Sequence, residues 1–269
     1  MNSLRHFLLA VQFFTRIPVT GRLADWVGYS PAMLRASSAH FPGVGWLAAA
    51  LACGVYVAVH AALGANPYTP LVAAVACTIA TVLMTGGFHE DGLTDVVDGL
   101  GGSLDRERAL DIMKDSRIGA FGAMALQLAL FSKIALLAWL GHVSLTIALA
   151  ALLGAHVVSR LCPLWLVRRL AHVGDTARSK SKPLADQITR SALLAAAIWC
   201  LPPLAWLVWL QGGPWTLAAL ASSLLALGWM WRWFARRLQG FTGDCLGATQ
   251  QVCEIAFYWG AAVASAHGL

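Results

Sequence analysis

The chain has 269 residues, 58% of them hydrophobic and only 12% charged, with a formal net charge of +6. A soluble domain carries about a quarter charged residues, and here the apolar residues fall in long blocks. That excludes an ordinary soluble domain and predicts an all-α fold, a polytopic integral membrane helical bundle forming one membrane-embedded catalytic domain over 1–269. The positive charge lies between apolar blocks rather than along one polar face, which points to the lipid bilayer and not to nucleic acid as the partner.

At the start, Leu4, Phe7, Leu8, Val11 and Phe14 share one helical face, flanked by Arg5 and Arg16. The pattern predicts an N-terminal interfacial helix, with a plain first span as the alternative. Gln12 and Arg16 break the apolar run and no small-residue cleavage site follows, so no cleavable signal peptide is expected. Seven candidate spans come next, at 43–63, 70–87, 118–140, 143–166, 191–210, 214–231 and 246–266. Short and adjacent runs leave six or eight open. The cysteines, at 53, 77, 162, 200, 245 and 253, form no CxxC pair and read as small hydrophobes.

Basic residues alternate from loop to loop. Arg5, Arg16, Arg22 and Arg35 precede the first span, and Arg106, Arg108, Lys114 and Arg117 occupy 88–117. Arg168, Arg169, Arg178, Lys180, Lys182 and Arg190 occupy 167–190, and Arg232, Arg236 and Arg237 follow. The connections near 64–69, 141–142 and 211–213 hold no Lys or Arg. The basic loops are expected on the cytoplasmic side. All carboxylates share those loops except Glu254, within the last candidate span. Concentrating the polar chemistry on one side favours an enzyme over a transporter using Glu254, Lys133 and Arg160 as a pathway.

The densest chemistry is "GGFHEDGLTDVVDGLGG" at 86–102, with Glu90, Asp91, Asp95 and Asp98. On a helix, Asp91, Asp95 and Asp98 fall within about 60° of one another. Like charges so placed repel, and a cation between them removes the penalty. Oxygen donors without a His pair or Cys nearby point to Mg²⁺ or Mn²⁺, and such a site typically takes substrate phosphates as further ligands. A diphosphate substrate is the resulting expectation; a solvated acidic loop is the alternative. Downstream, "KDSRIGAFG" (114–122) offers Lys114 and Arg117 beside Asp115 and Ser116, either to clamp phosphate oxygens or as flanking positive charge. "GFTGDCLGATQQVCE" (240–254) places Thr242 and Asp244 at a span entrance and Glu254 inside it, where charge is costly and usually functional. For His156 a hydrogen-bonded packing role is expected.

These stretches, with "FFTRIPV" (13–19), "FPGVGWL" (41–47), "IMKDSRIGAFG" (112–122) and "SR" (159–160), resemble the cobalamin synthase family, the adenosylcobinamide-GDP ribazoletransferases, over nearly the whole chain. The resemblance implies a Mg²⁺-dependent enzyme of the bacterial inner membrane with a cytoplasm-facing site. It would join adenosylcobinamide-GDP to α-ribazole, or to α-ribazole 5′-phosphate, with release of GMP. On that reading Glu90, Asp91 and Asp95 hold metal, and Asp98 is base or ligand. Lys114 and Arg117 steady the diphosphate. His89, Asp115, Ser116, Arg160, Thr242, Asp244 and Glu254 are candidate substrate contacts. A homo-oligomer and contact with other cobamide-assembly enzymes are left open. A CDP-alcohol phosphotransferase is the nearest rival, but Phe88 stands where its pattern needs an aspartate, and no Ala-Arg follows Gly92.

Overall fold

The computed structural model describes residues 2–174 and 188–269. Arg178, Lys180 and Lys182, counted above among the basic loop residues, lie outside the described residues. Among those described, the regular structure is helical. In chain order the helices are α1 (Asn2–Phe14), α2 (Gly21–Val27), α3 (Pro31–Ser37), a 3₁₀ turn (Ser38–His40), α4 (Phe41–Leu63), α5 (Thr69–Thr85) and α6 (Phe88–Gly102). Then come α7 (Arg106–Met113), α8 (Ala120–Val143), α9 (Leu145–Arg169), α10 (Arg190–Gln211), α11 (Gly213–Arg237) and α12 (Gly243–Ala266).

Polar residues at the apolar boundaries set many of the helix starts. Ser30, Asp105 and Thr189 each accept a hydrogen bond from a first-turn N–H, at 3.1, 2.8 and 3.1 Å, satisfying donors that a helix leaves open. Ser144 alone separates α8 from α9, ending one and capping the other through Thr146 N at 3.2 Å.

Among the described residues, five stretches are long and apolar enough to cross a membrane: Pro31–Leu63, Ala120–Val143, Leu145–Arg169, Arg190–Gln211 and Gly213–Arg237. A sixth exists if α5 and α6, bent by 88°, are counted as one broken span. The count therefore falls below the expected seven, for two physical reasons. At 17 residues α5 is about 25 Å long, short of the roughly 30 Å hydrocarbon core. α12 has the length but carries Asp244, Thr249, Gln250, Gln251 and Glu254 along its first half.

The bend between α5 and α6 is built by Gly86 and Gly87, both left-handed at φ 69° and 70°. Gly87 N donates to Val82 O at 3.0 Å and Gly86 N to Leu83 O at 3.3 Å, the paired closure of a Schellman stop. Two successive positive φ values favour glycine over any other residue, so the pair redirects the chain sharply. α6 then leaves α5 and packs against α7, α8 and α12.

α12 is the centre of the bundle. Its most extensive partner is α11, followed by α6, α9 and α8. α9 is the span drawn furthest inside: 67% of its most apolar window is buried, against 22% in each of the other four spans. α1 docks on the bundle through its apolar face. Phe14 stacks on Phe41 with ring centroids 4.1 Å apart, and Phe7 on Trp199 at 5.6 Å. Arg237 of α11 donates to the carbonyls of Leu100 (3.3 Å) and Ser103 (2.6 Å), holding the C-terminal end of α6, where a cation also suits the helix dipole.

The close approach of α11 and α12 depends on Gly260. A Cβ there would lie 2.7 Å from Ala219 Cα and 2.6 Å from Ser222 Oγ, so only a residue without a side chain permits the contact. Gly260→Leu is expected to cost about 1–3 kcal/mol through overpacking. Thermal unfolding of the detergent-solubilised protein checks it; an unchanged midpoint would contradict this packing.

Candidate active site

Because α6 runs across the end of α5, its acidic face borders an open cleft of about 820 Å³. Glu90, Asp91, Thr94 and Asp95 form one wall, with Gln12 and Arg16 from the end of α1 and Ser116 from the loop before α8. Asp91 is exposed, Asp95 half-buried and Glu90 buried. The carboxylates of Asp244, Asp91 and Asp98 all act electrostatically on Asp95. Asp244 reaches this group because Gly92 lets the start of α12 lie against α6; a Cβ at Gly92 would stand 2.8 Å from Asp244 O. Thr242 donates to Asp244 Oδ2 at 3.2 Å and accepts from Cys245 N at 3.4 Å, so it orients the aspartate and caps α12.

Among the described residues, no three His, Cys, Asp or Glu side chains close into a metal-holding set. The donor chemistry nevertheless suits a hard cation. The cleft is lined by carboxylate oxygens with no thiol among them, and Glu90 Oε2 is buried without a hydrogen-bond partner.

Asp98 is placed differently from its neighbours. Its Oδ2 accepts from Gly119 N at 2.7 Å and its Oδ1 from Gly122 N at 2.8 Å. Gly119 is the N-cap of α8 and has no side chain to close that end. Asp98 supplies the missing cap from a different helix, a charge-assisted pair at the positive end of the helix dipole. Side chains at Gly119 and Gly122 would overlap its carboxylate. Each oxygen thus holds one backbone amide and keeps a second lone pair, so Asp98 anchors the start of α8, a role its spacing does not predict.

The two cations of the 114–117 segment stand outside the cleft lining. Lys114 lies 4.0 Å from Asp111 and Arg117 pairs with Asp115 at 2.6 Å; both cations are largely exposed. The Arg117 hydrogen bonds hold the Asp115 carboxyl down at about 2, so the pair stays ionised at neutral pH. Ser116, between them, does line the cleft.

Behind the cleft lies a buried polar network that no single sequence segment announces. Glu254 pairs with Lys133 Nζ at 2.5 Å, with both side chains nearly fully buried at 1% and 2% exposure. Tyr258 donates to the same oxygen, Oε1, at 3.3 Å, while Oε2 accepts from Gln250 at 2.6 Å and stands 3.4 Å from His156 Nδ1. Gln251 continues the chain outward, donating to Gln250 Oε1 and to Glu90 Oε1, each at 3.0 Å. Arg160 donates to the His156 carbonyl at 2.8 Å and lies over the Phe41 ring at 5.8 Å. Glu90 and Glu254 thus face Lys133 and Arg160, two charges of each sign. His89 stacks on Phe41 at 5.7 Å, and its Nε2 has no hydrogen-bond partner.

The structure therefore gathers Glu90, Asp91, Asp95, Asp244 and Ser116 at or beside one cleft, while Glu254 and Arg160 belong to the network behind it. The sequence assigns Arg16, Gln250 and Gln251 no role of their own. Arg16 looked like flanking positive charge; only the bend at Gly86, whose missing side chain makes room for the guanidinium, brings it to the acidic face.

Fold and site together define a polytopic helical membrane protein with a carboxylate-rich cleft at the mouth of its bundle. The family model for cobalamin-5-phosphate synthase matches residues 6–262. The chain is 63% identical to the adenosylcobinamide-GDP ribazoletransferase of Polaromonas sp. (strain JS666), with 96% of each chain covered. It is 44% identical to that of Leptothrix cholodnii, covering 97% of this chain and 96% of the relative. With the protein of that name from Vibrio cholerae the identity is 39%, over 95% and 92%. No solved structure matches. The chain belongs to the cobalamin-5-phosphate synthase family of enzymes.

Removing one partner of a buried ion pair strands the other in a medium that cannot solvate it. Lys133→Met is expected to destabilise the protein by about 3–5 kcal/mol. Adding Glu254→Gln to it should recover much of that loss, because no uncompensated charge then remains. Thermal unfolding of both variants checks this; a double variant no more stable than Lys133→Met would contradict the pairing.

Proposed function

We propose that the chain joins adenosylcobinamide-GDP to α-ribazole, or to α-ribazole 5′-phosphate, releasing GMP, at the cytoplasmic face of the bacterial inner membrane and with Mg²⁺ (Mn²⁺ in its place). The observation that carries this is the cleft itself: an acidic helix face bordered by Arg16 and Ser116, in a chain related over almost its whole length to proteins named for that transfer. The alternating basic loops support the orientation.

Asp91, Asp95 and Asp244 would hold the cation, with Glu90 Oε2 as a further donor. Three aspartates kept together against their repulsion, without closing into a complete ligand set, suit a cation that draws remaining ligands from substrate oxygens and water. Bound there, it supplies neutralisation of the charge spread over the transferring phosphoryl group.

The chain's own residues do the rest. The ribazole 3′-hydroxyl oxygen forms a bond to the phosphorus nearest cobinamide, the bond from that phosphorus to GMP breaks, and GMP leaves with the electron pair. The hydroxyl proton passes to a cleft carboxylate. Asp98 is a positioning residue that ties the 114–119 segment to the acidic helix. Arg16 is assigned to the diphosphate. Lys114 and Arg117, at the exposed rim, would meet the distal, GMP end of the donor.

Asp91→Asn and Asp95→Asn are each expected to reduce GMP release in proteoliposomes by at least about 100-fold, with folding and insertion intact. Substantial turnover in either would remove the assignment. Arg16→Ala should raise KM for the GDP-bearing substrate more than for ribazole, and more than Lys114→Ala does. An equal effect on both substrates would count against a diphosphate contact.

A further inference from the structure

A second polar feature shares no lining residue with the acidic cleft. A pocket of about 410 Å³ opens where α9 ends and α10 begins, lined by Trp165, Arg168, Arg169, Arg190 and Leu193. No carboxylate lines it among the described residues. Arg190 is the first residue of α10, whose first turn carries no acid. A cation is unfavourable at that positive helix end, so an anion there would satisfy the side chain and the helix end together.

Beside this pocket runs a groove of about 290 Å³, lined by Leu166, Leu224, Leu227, Gly228 and Trp231, with Trp165 and Arg169 shared between the two. Its walls are α9 and α11, both long and apolar enough to cross the membrane. Leu224 and Trp231 remain 49% and 41% exposed, so the groove opens on the outer surface of the bundle. A cationic pocket at span ends continues directly into an apolar channel between spans.

We infer that the pocket and groove together hold one anionic phospholipid, its phosphate among Arg168, Arg169 and Arg190 and the upper part of an acyl chain between α9 and α11. Three arginines, with no carboxylate beside them among the described residues, supply the charge complementarity. The amphipathic layout favours a lipid over a free phosphate, which would leave the groove unfilled. Trp165 and Trp231 lie within the last two turns of α9 and α11, and aromatic residues are enriched near the ends of spanning helices. Such a lipid would brace the ends of α9 and α10 against α11.

Gly228 provides a selective test. A Cβ there meets nothing within 4 Å and Gly228 lines the groove, so Gly228→Phe starts a bulky side chain in the groove without a clash at its root. Native mass spectrometry of the full-length protein in detergent would compare dioleoylphosphatidylglycerol, dioleoylphosphatidylcholine and glycerol 1-phosphate. The wild type should retain phosphatidylglycerol over phosphatidylcholine by at least about fivefold, and Arg169→Gln or Arg190→Gln should each lower that retention by about fivefold. Arg169→Lys should keep most of it. Gly228→Phe should lose the lipid despite intact arginines. Equal retention of the two lipids would overturn the inference. So would glycerol 1-phosphate binding as tightly as the lipid and unaffected by Gly228→Phe, which would mark a soluble-anion site.

Discussion

A carboxylate buried inside a membrane bundle must have its charge met by its neighbours, and Glu254 imposes that condition on the whole fold. Lys133 from α8, His156 from α9 and Gln250 and Tyr258 from its own helix converge on its two oxygens. Each partner is buried in turn, so these helices cannot shift without exposing an unpaired group to low dielectric. α12 accordingly takes the centre. Its polar first half, which costs it the composition of a lipid-facing span, is what lets it organise α6, α8 and α9 around one charge.

From that centre the polarity runs outward. Gln251 bridges Gln250 to Glu90, so the inner edge of α6 is registered against the buried pair. The four acids of α6 then serve three directions. Glu90 faces the network, Asp91 and Asp95 face the cleft, and Asp98 reaches across to the start of α8. This explains how one short helix tolerates so much like charge. The amides of Gly119 and Gly122 neutralise Asp98 locally, and Gln251 and the buried cations stabilise Glu90. The cleft pair, with Asp244 and the unpartnered Glu90 Oε2, is left for a ligand. The stitch from Asp98 to Gly119 also fixes where the 114–119 segment ends, setting the rim of the cleft beside Ser116.

Much of this was legible in the residues. Long apolar blocks predict a helical membrane protein, and the HEDG and KDSRIG stretches mark the polar end of the bundle. Other features depend on direction, which spacing does not supply. Asp91, Asp95 and Asp98 do share a helical face, but Asp98 lies about 10 Å beyond Asp91 and about 4.5 Å beyond Asp95 along the axis, where it meets the start of α8. Gly86 and Gly87 stop α5 and turn the chain by 88°. That turn converts an expected span-plus-loop into a helix lying across the cleft. Arg16 read as flanking charge because its partner surface is created only by the same turn. Gln250 and Gln251 had a signal, two adjacent amides in an apolar helix, and the hydrogen-bonded chain they form is what such residues require when buried.

The central claim is that Asp91, Asp95 and Asp244 form a divalent-cation site that a substrate diphosphate completes. Electron paramagnetic resonance of Mn²⁺ added to the purified full-length protein addresses it without turnover. The account predicts weak Mn²⁺ binding to the protein alone, marked tightening when the GDP-bearing substrate is added, and loss of that tightening in Asp95→Asn. Mn²⁺ binding that is indifferent to the substrate, or unchanged by the substitution, would contradict it.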